Sequence, residues 1–201
     1  MILAKKNETG YKKVNTIKVD IRREDCKDGT IILHSAIPLD PHPYRLTERF
    51  KEWATREPDR VFIGRKNFSG NWEMLSYSKA FTMVLHIAQS LLDRHISPLH
   101  PIAILSENSI EHALLALAAL HVGIPYSSIT PAYSLRSSDF NKLKYVVDLL
   151  EPQLIFVQDA KKYEKALQVV AKGIEVVAVT GAKAGSGQLL LDELLKTPIT
   201  S

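Results

Sequence analysis

The sequence predicts an α/β fold in which a sheet of mostly parallel strands lies between two layers of helices. Short apolar runs that suit buried strands recur at 102–105, 124–127, 154–157 and 175–179, and stretches with helical spacing of apolar residues separate them. Strands that alternate with helices pair in parallel, with right-handed crossovers. Because residues 110–120 are apolar nearly all round, we expect that helix to be covered on both sides, as in a three-layer fold.

The N-terminal part of the chain is polar and carries several lysine pairs. Weak alternation at Ile17, Val19 and Ile21 allows one short strand in what is otherwise a mobile extension over residues 1–30. Three closely spaced prolines, at positions 38, 41 and 43, mark an extended linker. We therefore divide the chain into an extension and linker, residues 1–43, and a folded part, residues 44–201.

The folded part begins with a helix over 46–54, ended by Pro58. The aromatic and β-branched runs 61–65 and 72–77 flank a turn-forming segment and predict an antiparallel pair. A continuous apolar stripe predicts a second helix, Tyr77–Asp93, with Ser76 as its N-cap.

The apolar helix over 109–122 has signals at both of its ends. Asn108 suits the N-cap, and Glu111 at the third helical position can accept a bond from a free backbone N–H. Gly123 suits the C-terminal turn.

The last elements follow a polar segment, 129–137, which reads as a loop. Helical spacing predicts a helix over 140–150 capped by Ser138, and a further helix over 163–170 capped by Asp159.

Composition excludes several classes of protein. The chain has 201 residues, 45% hydrophobic and 24% charged, which is ordinary for a globular protein. Of its net charge of +4, residues 1–30 carry +3, so no basic stripe for a nucleic acid runs along the folded part. A single cysteine, Cys26, can form neither an internal disulfide nor most of a zinc site.

Nothing in the sequence predicts a membrane segment or a signal peptide. The longest apolar stretch, about 113–119, is far shorter than the roughly 20 residues that cross a bilayer, and residues 1–6 lack an apolar core. We expect a soluble, cytoplasmic protein without a membrane partner.

Three segments resemble the adenylate-forming superfamily of AMP-dependent synthetases and ligases. The first is LTERFKEWA at 46–54 with PDRV at 58–61, and the second joins LSYS at 75–78 to PIAILSENS at 101–109. The third segment, IEHALLAL at 110–117 with PAYSL at 131–135, is similar to feruloyl-CoA synthases in particular. The resemblance extends from about residue 31 to the C-terminus.

This resemblance implies an acyl-CoA synthetase that joins a carboxylic acid, aromatic or other, to coenzyme A. ATP and the acid give an acyl-adenylate and pyrophosphate, and CoA then displaces AMP. In the family, the Ser/Thr/Gly-rich phosphate loop, the carboxylates that hold Mg²⁺ and ribose, and a lysine on a C-terminal lid all lie beyond the part matched here. We therefore expect no catalytic, cofactor-binding or metal-binding residue in this chain, and no adenylation by it.

Two patterns could be taken for functional sites. The glycine-rich stretch 181–187 follows a strand and contains Lys183, but it lacks a P-loop ending and a dinucleotide fingerprint, so we interpret it as a surface loop. His112 and His121 are nine positions apart on one helix and so face opposite sides, which excludes a shared metal. The absence of a Gly-x-Ser-x-Gly elbow argues against a hydrolase.

A third pattern is the segment Tyr126, Pro131, Tyr133 and Ser134, just beyond a strand end, where open α/β sheets commonly bind ligands. We favour packing and turn geometry for these residues.

The sequence thus predicts the N-terminal part of a feruloyl-CoA synthase-like ligase that is inactive by itself. The alternatives are a scaffold or interaction module that pairs with another chain through surfaces exposed by truncation, and a simple nucleotide-binding α/β domain, which the missing glycine fingerprint disfavours.

Overall fold

The computed structural model describes residues 18–67, 69–183 and 185–200. The chain divides into two compact units, and the boundary along the sequence lies between His42 and Pro43. The mobile extension was predicted over residues 1–30; its first part, residues 1–17, which includes Ile17 of the predicted strand, lies outside the described residues.

The first unit contains a β-hairpin. Strand β1, Ile21–Asp25, pairs with β2, Ile31–Ser35, in an antiparallel register that sets Ile21 opposite Ser35. The sequence analysis expected one short strand here and missed the second. The signal was present in Asp28-Gly29, because Gly29 adopts φ +86° at the turn and Asp28 accepts the N–H of Thr30.

The second unit opens with the predicted elements, which the structure confirms within one or two residues. They are α1, Leu46–Arg56; β3, Val61–Lys66; β4, Trp72–Ser76; and α2, Tyr77–Asp93. Strands β3 and β4 form the predicted antiparallel pair, and Ser76 caps α2 by accepting the N–H of Lys79. Phe50 of α1 packs against the rings of Phe62 and Tyr77, which fixes the hairpin to the helices.

The rest of the unit is a three-layer α/β structure, as predicted. Its elements are β5, Ile102–Leu105; α3, Ile110–Val122; β6, Tyr126–Ser128; α4, Pro131–Leu135; α5, Asn141–Leu150; β7, Leu154–Asp159; α6, Glu164–Val170; β8, Glu175–Thr180; β9, Leu189–Leu190; and α7, Leu191–Leu194. The five strands are parallel in the order β6-β5-β7-β8-β9. Strand β9 and helix α7 were not predicted.

Two apolar clusters cover the two faces of this sheet. Residues alternate between them along each strand: Ile102 and Ile104 of β5 pack towards α2, α3 and α7, and Ala103 and Leu105 pack towards α5 and α6. Helix α3 lies between the sheet and helices α1 and α2, which explains why it is apolar nearly all round.

The predicted N-caps of α3, α5 and α6 are wrong. Ser109, in extended conformation, caps α3 and accepts the N–H of His112 at 3.0 Å, whereas the prediction was Asn108. Helix α5 begins after Phe140, whose φ is +56°, and Ser137 accepts the N–H of Phe140, so Ser138 is not the cap.

Two other boundaries also differ from the prediction. Residues 131–135 form helix α4 within the predicted loop, because proline is favourable at a first helical position. Strand β6 begins at Tyr126 rather than Ile124, since Gly123 adopts φ +75° and the N–H of Ile124 still bonds Ala119 in the C-terminal turn of α3.

Asp159 caps a turn that precedes α6, and not the helix itself. Its Oδ1 accepts the N–H groups of Lys161 and Lys162, and the helix begins at Glu164. This turn needs the glycine at 181, because a Cβ there would meet Asp159 Oδ1 and lie 2.9 Å from the Lys161 nitrogen.

Candidate functional site

The sheet has a topological switch point between β5 and β7. From β5 the chain passes through α3 to β6 on one side, and then crosses to β7 on the other side. In open α/β sheets, ligands bind at the carboxyl ends of the strands beside such a point. The polar residues Ser106, Glu107 and Gln158 occupy these ends.

A chain of polar contacts joins this point to the β3–β4 hairpin. Ser106 is only 5% exposed; its Oγ donates to the Glu107 carbonyl at 2.6 Å and lies 3.4 Å from Gln158 Oε1. Gln158 Nε2 donates to Glu111 at 3.4 Å, and Arg65 Nη1 lies 2.9 Å from both oxygens of that carboxylate. We call Arg65, Ser106, Glu107, Glu111, His112 and Gln158 the switch-point cluster.

Glu111 shows why the cluster forms. The sequence analysis expected its carboxylate to bond a free N–H of its own helix. With Ser109 as the N-cap, Glu111 is instead the second helical residue, and its carboxylate bonds Arg65 and Gln158. That contact joins β3, α3 and the end of β7.

Glu107 and His112 complete the cluster. Lys162 Nζ lies 2.6 Å from a Glu107 carboxylate oxygen. His112 Nε2 lies 3.0 Å from Ser128 Oγ at the end of β6, and its Nδ1 lies 3.4 Å from the Glu107 carbonyl. The carboxyl ends of three neighbouring strands are therefore tied together by side chains.

A cleft of about 440 Å³ opens beside the cluster, between α3 and the β3–β4 hairpin. Its polar lining includes Arg65, Asn108 and His112, and its apolar lining includes Ile63, Ile110, Ala113 and Tyr126. This arrangement suits a partly apolar molecule with one polar group, because apolar walls supply burial and a few polar side chains fix orientation.

The charged side chains of the cluster have ion-pair partners, some of which lie outside it: Glu73 pairs with Arg65, and Lys162 pairs with Glu107. The carboxylate of Glu73 accepts from Arg65 Nε at 2.8 Å, and this bond, with the further contribution of Glu111, raises the pKa of the Arg65 guanidinium above its usual value. Arg65 is thus held between two carboxylates. Side chains held by hydrogen bonds and ion pairs in this way can bind and position a polar group.

The two histidines of α3 are separated as predicted. His121 lies at the other end of the helix, with Nδ1 3.1 Å from the hydroxyl of buried Thr47. Burial, with a further contribution from Arg45, lowers the pKa of His121. His112 makes the polar contact expected of it near the start of the helix.

Of the four residues singled out in and after β6, only Tyr126 lines the cleft. Pro131 starts α4, and Tyr133 packs against the α5–α6 side of the sheet. Ser134 is buried, and its hydroxyl lacks a partner among the described residues. Packing and turn geometry account for the observed positions of Pro131 and Tyr133.

The glycine-rich stretch 181–187 forms bonds within itself and to α6. Ser186 Oγ donates to the Lys183 carbonyl at 2.7 Å, and Lys183 Nζ lies 2.5 Å from a Glu164 oxygen. This ion pair lowers the pKa of Glu164. The only lysine of the stretch therefore points to a carboxylate of its own chain.

Potential metal ligands are scattered in the part of the chain that the structure describes. Among residues 18–67, 69–183 and 185–200, no three His, Cys, Asp or Glu side chains are grouped so that they could hold an ion. Over the same ranges, every helix is too short or too polar to traverse a lipid bilayer.

Sequence reasoning missed Arg65 and Gln158 as members of the cluster. A signal existed for Gln158, because it is polar and follows four buried apolar residues at the end of β7. Arg65 gave none: its partner Glu111 is 46 positions away, and only the tertiary structure brings them together.

Comparisons with known proteins support the resemblance seen in the sequence at the level of the superfamily. The sequence model of the family described as "AMP-binding enzyme" matches residues 50–198. A long-chain-fatty-acid–CoA ligase of Homo sapiens is 23% identical over 152 residues, 75% of this chain and 22% of the relative. The chain thus spans about a fifth of the length of the curated relatives it matches.

Solved structures share the fold. Acetoacetyl-CoA synthetase from Streptomyces lividans superimposes with a TM-score of 0.66 at 16% identity, over 77% of this chain and 25% of that protein. The fatty acyl-adenylate ligase from L. pneumophila, solved with acyl adenylate and pyrophosphate, gives 0.59 at 17% identity, over 78% and 26%. With its family match over three quarters of the sequence and this fold, the chain belongs to the AMP-binding enzyme family.

Proposed function

We propose that this chain is the N-terminal portion of an ATP-dependent acyl-CoA ligase. The observation that carries the proposal is the family match over residues 50–198, which spans α1 to α7 and so includes the whole five-stranded sheet. In this proposal residues 1–43 are an extension and linker, and residues 44–201 are part of the large domain.

The proposed reaction activates a carboxylic acid with ATP and transfers the acyl group to CoA. The bound acyl adenylate and pyrophosphate in the L. pneumophila relative support ATP as the activating nucleotide. Mg²⁺ and CoA follow from the resemblance. Among the described residues, Lys183 is paired with Glu164 and no three metal donors converge. We therefore assign the groups to other parts of the ligase.

For the acid, we propose an aromatic, ferulate-like substrate. The support is the pair of sequences IEHALLAL at 110–117 and PAYSL at 131–135. The human relative is described as acting on long-chain fatty acids, so a fatty acid is the competing substrate class. Both classes present a carboxylate on an apolar body.

We further propose that the 201-residue chain does not adenylate an acid. The charged side chains of the switch-point cluster are ion-paired, Arg65 with Glu111 and Glu107 with Lys162, and the described residues of stretch 181–187 bond within that stretch. The cytoplasmic location expected from the sequence stays a prediction.

The decisive experiment reads the gene beyond codon 201 and assays the protein that it encodes. We expect the reading frame to continue into a Ser/Thr/Gly-rich loop with a lysine. The longer protein should then release AMP with ferulate, ATP and CoA, and more slowly with palmitate. Faster turnover of palmitate would overturn the aromatic assignment, and no AMP release with any acid would overturn the ligase proposal.

The isolated chain is tested separately, by ATP–pyrophosphate exchange with ferulate and with palmitate. We expect label incorporation at background for both acids. Incorporation above background with either acid would contradict the proposed inactivity.

A second candidate is a non-catalytic interaction module that pairs with another chain. It is favoured by Trp72 and Met74, which lie two residues apart on β4 and are 58% and 60% exposed. Apolar side chains exposed together commonly mark a surface for a partner. A stop codon after position 201 would favour this module over a fragment of a ligase.

A further inference from the structure

The β1–β2 hairpin of the first unit is too small to be stable without a partner. Every residue of both strands is exposed, including Leu33 at 64%, Ile21 at 57% and Ile31 at 52%. Among the described residues, no third strand pairs with either edge. Because an isolated two-stranded hairpin is marginal in water, we expect something to pair with it.

The hydrogen-bond pattern shows which backbone groups are available for pairing. Cys26 donates to the Thr30 carbonyl at 2.8 Å, and Ala36 donates to the Asp20 carbonyl at 2.8 Å. Bonded and non-bonded pairs alternate along an antiparallel ladder, so the even-numbered residues of both strands bond within the hairpin. The N–H and C=O groups of Ile31, Leu33 and Ser35 therefore point to the open edge of β2, and those of β1 residues 21, 23 and 25 to the open edge of β1.

The open edge of β1 resists pairing with another copy of itself. A two-fold axis between antiparallel strands sets one residue directly opposite its own copy. Residues 22–25 of β1 are Arg, Arg, Glu and Asp, so an axis at any of them opposes like charges, whereas an axis at Ile21 overlaps the two strands at that residue alone. Like charges directly opposite each other destabilise a sheet, and charged edges are a common protection against edge pairing.

The edge of β2 has no such protection, since its sequence IILHS contains no Asp, Glu, Lys or Arg. We propose that two copies of this chain pair through β2, antiparallel and with the two-fold axis at Leu33, into a four-stranded sheet. This register overlaps the whole strand: Leu33 faces the partner's Leu33, and Ile31 faces the partner's Ser35. All three outward-pointing residues of β2 then find bonding partners.

The side chains of the four-stranded sheet are compatible on both faces. On one face the two Leu33 side chains meet, and each is flanked diagonally by Ile31 of the other copy. On the second face His34 lies opposite the partner's Ile32. Across the four strands, the side chains in line are therefore Arg22 and His34 of one copy followed by Ile32 and Glu24 of the other. No like charges are brought opposite each other. The proposal is independent of the proposed function.

Disulfide trapping tests both the edge and the register. In the Cys26→Ser background, Leu33→Cys sets two thiols opposite each other with about 5.5 Å between Cα atoms, a distance that a disulfide spans. Arg23→Cys is the matched control, because it lies on the same face but three strand spacings, roughly 14 Å, from its copy. We expect the first variant to cross-link under mild oxidation at least about tenfold faster than the control. Equal rates would overturn the proposal.

Sedimentation velocity of the 201-residue chain gives the second readout. We expect a concentration-dependent dimer, and Leu33→Lys should weaken it by at least about tenfold because it opposes two ammonium groups. Leu39→Lys, at an 88% exposed position outside the strands, should leave the dimer unchanged. A wild-type chain that stays monomeric at all concentrations, including the case in which another part of the chain covers β2, would overturn the proposal.

Discussion

Tyr163 is a buried residue whose pKa is shifted far from that of a free tyrosine side chain. Its side chain is almost fully buried against α5, β7 and β8, and its hydroxyl has no partner among the described residues. Burial, with a further contribution from the Glu107 carboxylate, raises the pKa of Tyr163 to about 12. A buried hydroxyl without a hydrogen bond costs free energy, because it had bonded water in the unfolded chain.

We predict that Tyr163→Phe raises the free energy of unfolding by about 1 kcal/mol at pH 7, as measured by urea denaturation. Tyr145→Phe, at a 68% exposed position, should change it by less than about 0.5 kcal/mol. A loss of stability in Tyr163→Phe would mean that the hydroxyl has a bonding partner.

The difference in stability between Tyr163→Phe and the wild type should also depend on pH. In the unfolded chain Tyr163 ionises near 10, whereas in the folded chain it stays protonated to about 12. Its contribution to stability is therefore complete below pH 10 and is lost as the pH rises through 12. The stability advantage of Tyr163→Phe over wild type should widen by on the order of 2 kcal/mol across this window. A constant difference would contradict the raised pKa.

At the scale of single elements, the start of α3 tests the corrected N-cap. Ser109 Oγ accepts the N–H of His112 at 3.0 Å, and the structure gives Asn108 no capping bond. We predict that Ser109→Ala lowers the free energy of unfolding by about 1 kcal/mol, and that Asn108→Ala changes it by less than about 0.5 kcal/mol. Thermal or urea unfolding of the two variants checks this. The reverse order would support the cap expected from the sequence.

The elements show what the sequence could and could not predict. Helix α2 and strand β5 were predicted at their observed bounds, because long stripes and buried runs bounded by polar residues are unambiguous. The caps of α3 and α5 were missed by one or two positions, since adjacent residues such as Asn108 and Ser109 are both good caps. Strand β9 has only two residues and no periodicity to reveal it.

At the scale of the whole molecule, the three layers followed from the alternation of strands and helices, but the strand order did not. Local patterns do not specify that β7 pairs on the other side of β5 from β6. The switch point, and with it the cluster around Glu111, therefore became visible only in the structure. The contact of Arg65 with Glu111 depends on how a hairpin packs against α3, which no pattern within either segment encodes.

The division of the chain into an extension with linker and a folded part makes a prediction about proteolysis. Tyr44 is 99% exposed and Leu39 is 88% exposed, and both lie outside helices and strands. Proteases cut exposed, irregular segments before packed ones, because the substrate must adopt an extended conformation. We predict that, among the sites within residues 18–200, brief chymotrypsin treatment cuts first after Tyr44 or Leu39 and leaves a fragment that ends at Ser201.

Mass spectrometry of the early products checks this prediction. Leu99 is the matched site within the folded part, because it is 83% exposed but lies between α2 and β5 in the packed unit. In the double variant Tyr44→Ala and Leu39→Ala, the first cut within residues 44–200 should slow by about tenfold, since the other exposed sites of the packed unit need local opening. First cleavage at Leu99 or within 102–194 in wild type would place the flexible boundary elsewhere and contradict the division at residues 43 and 44.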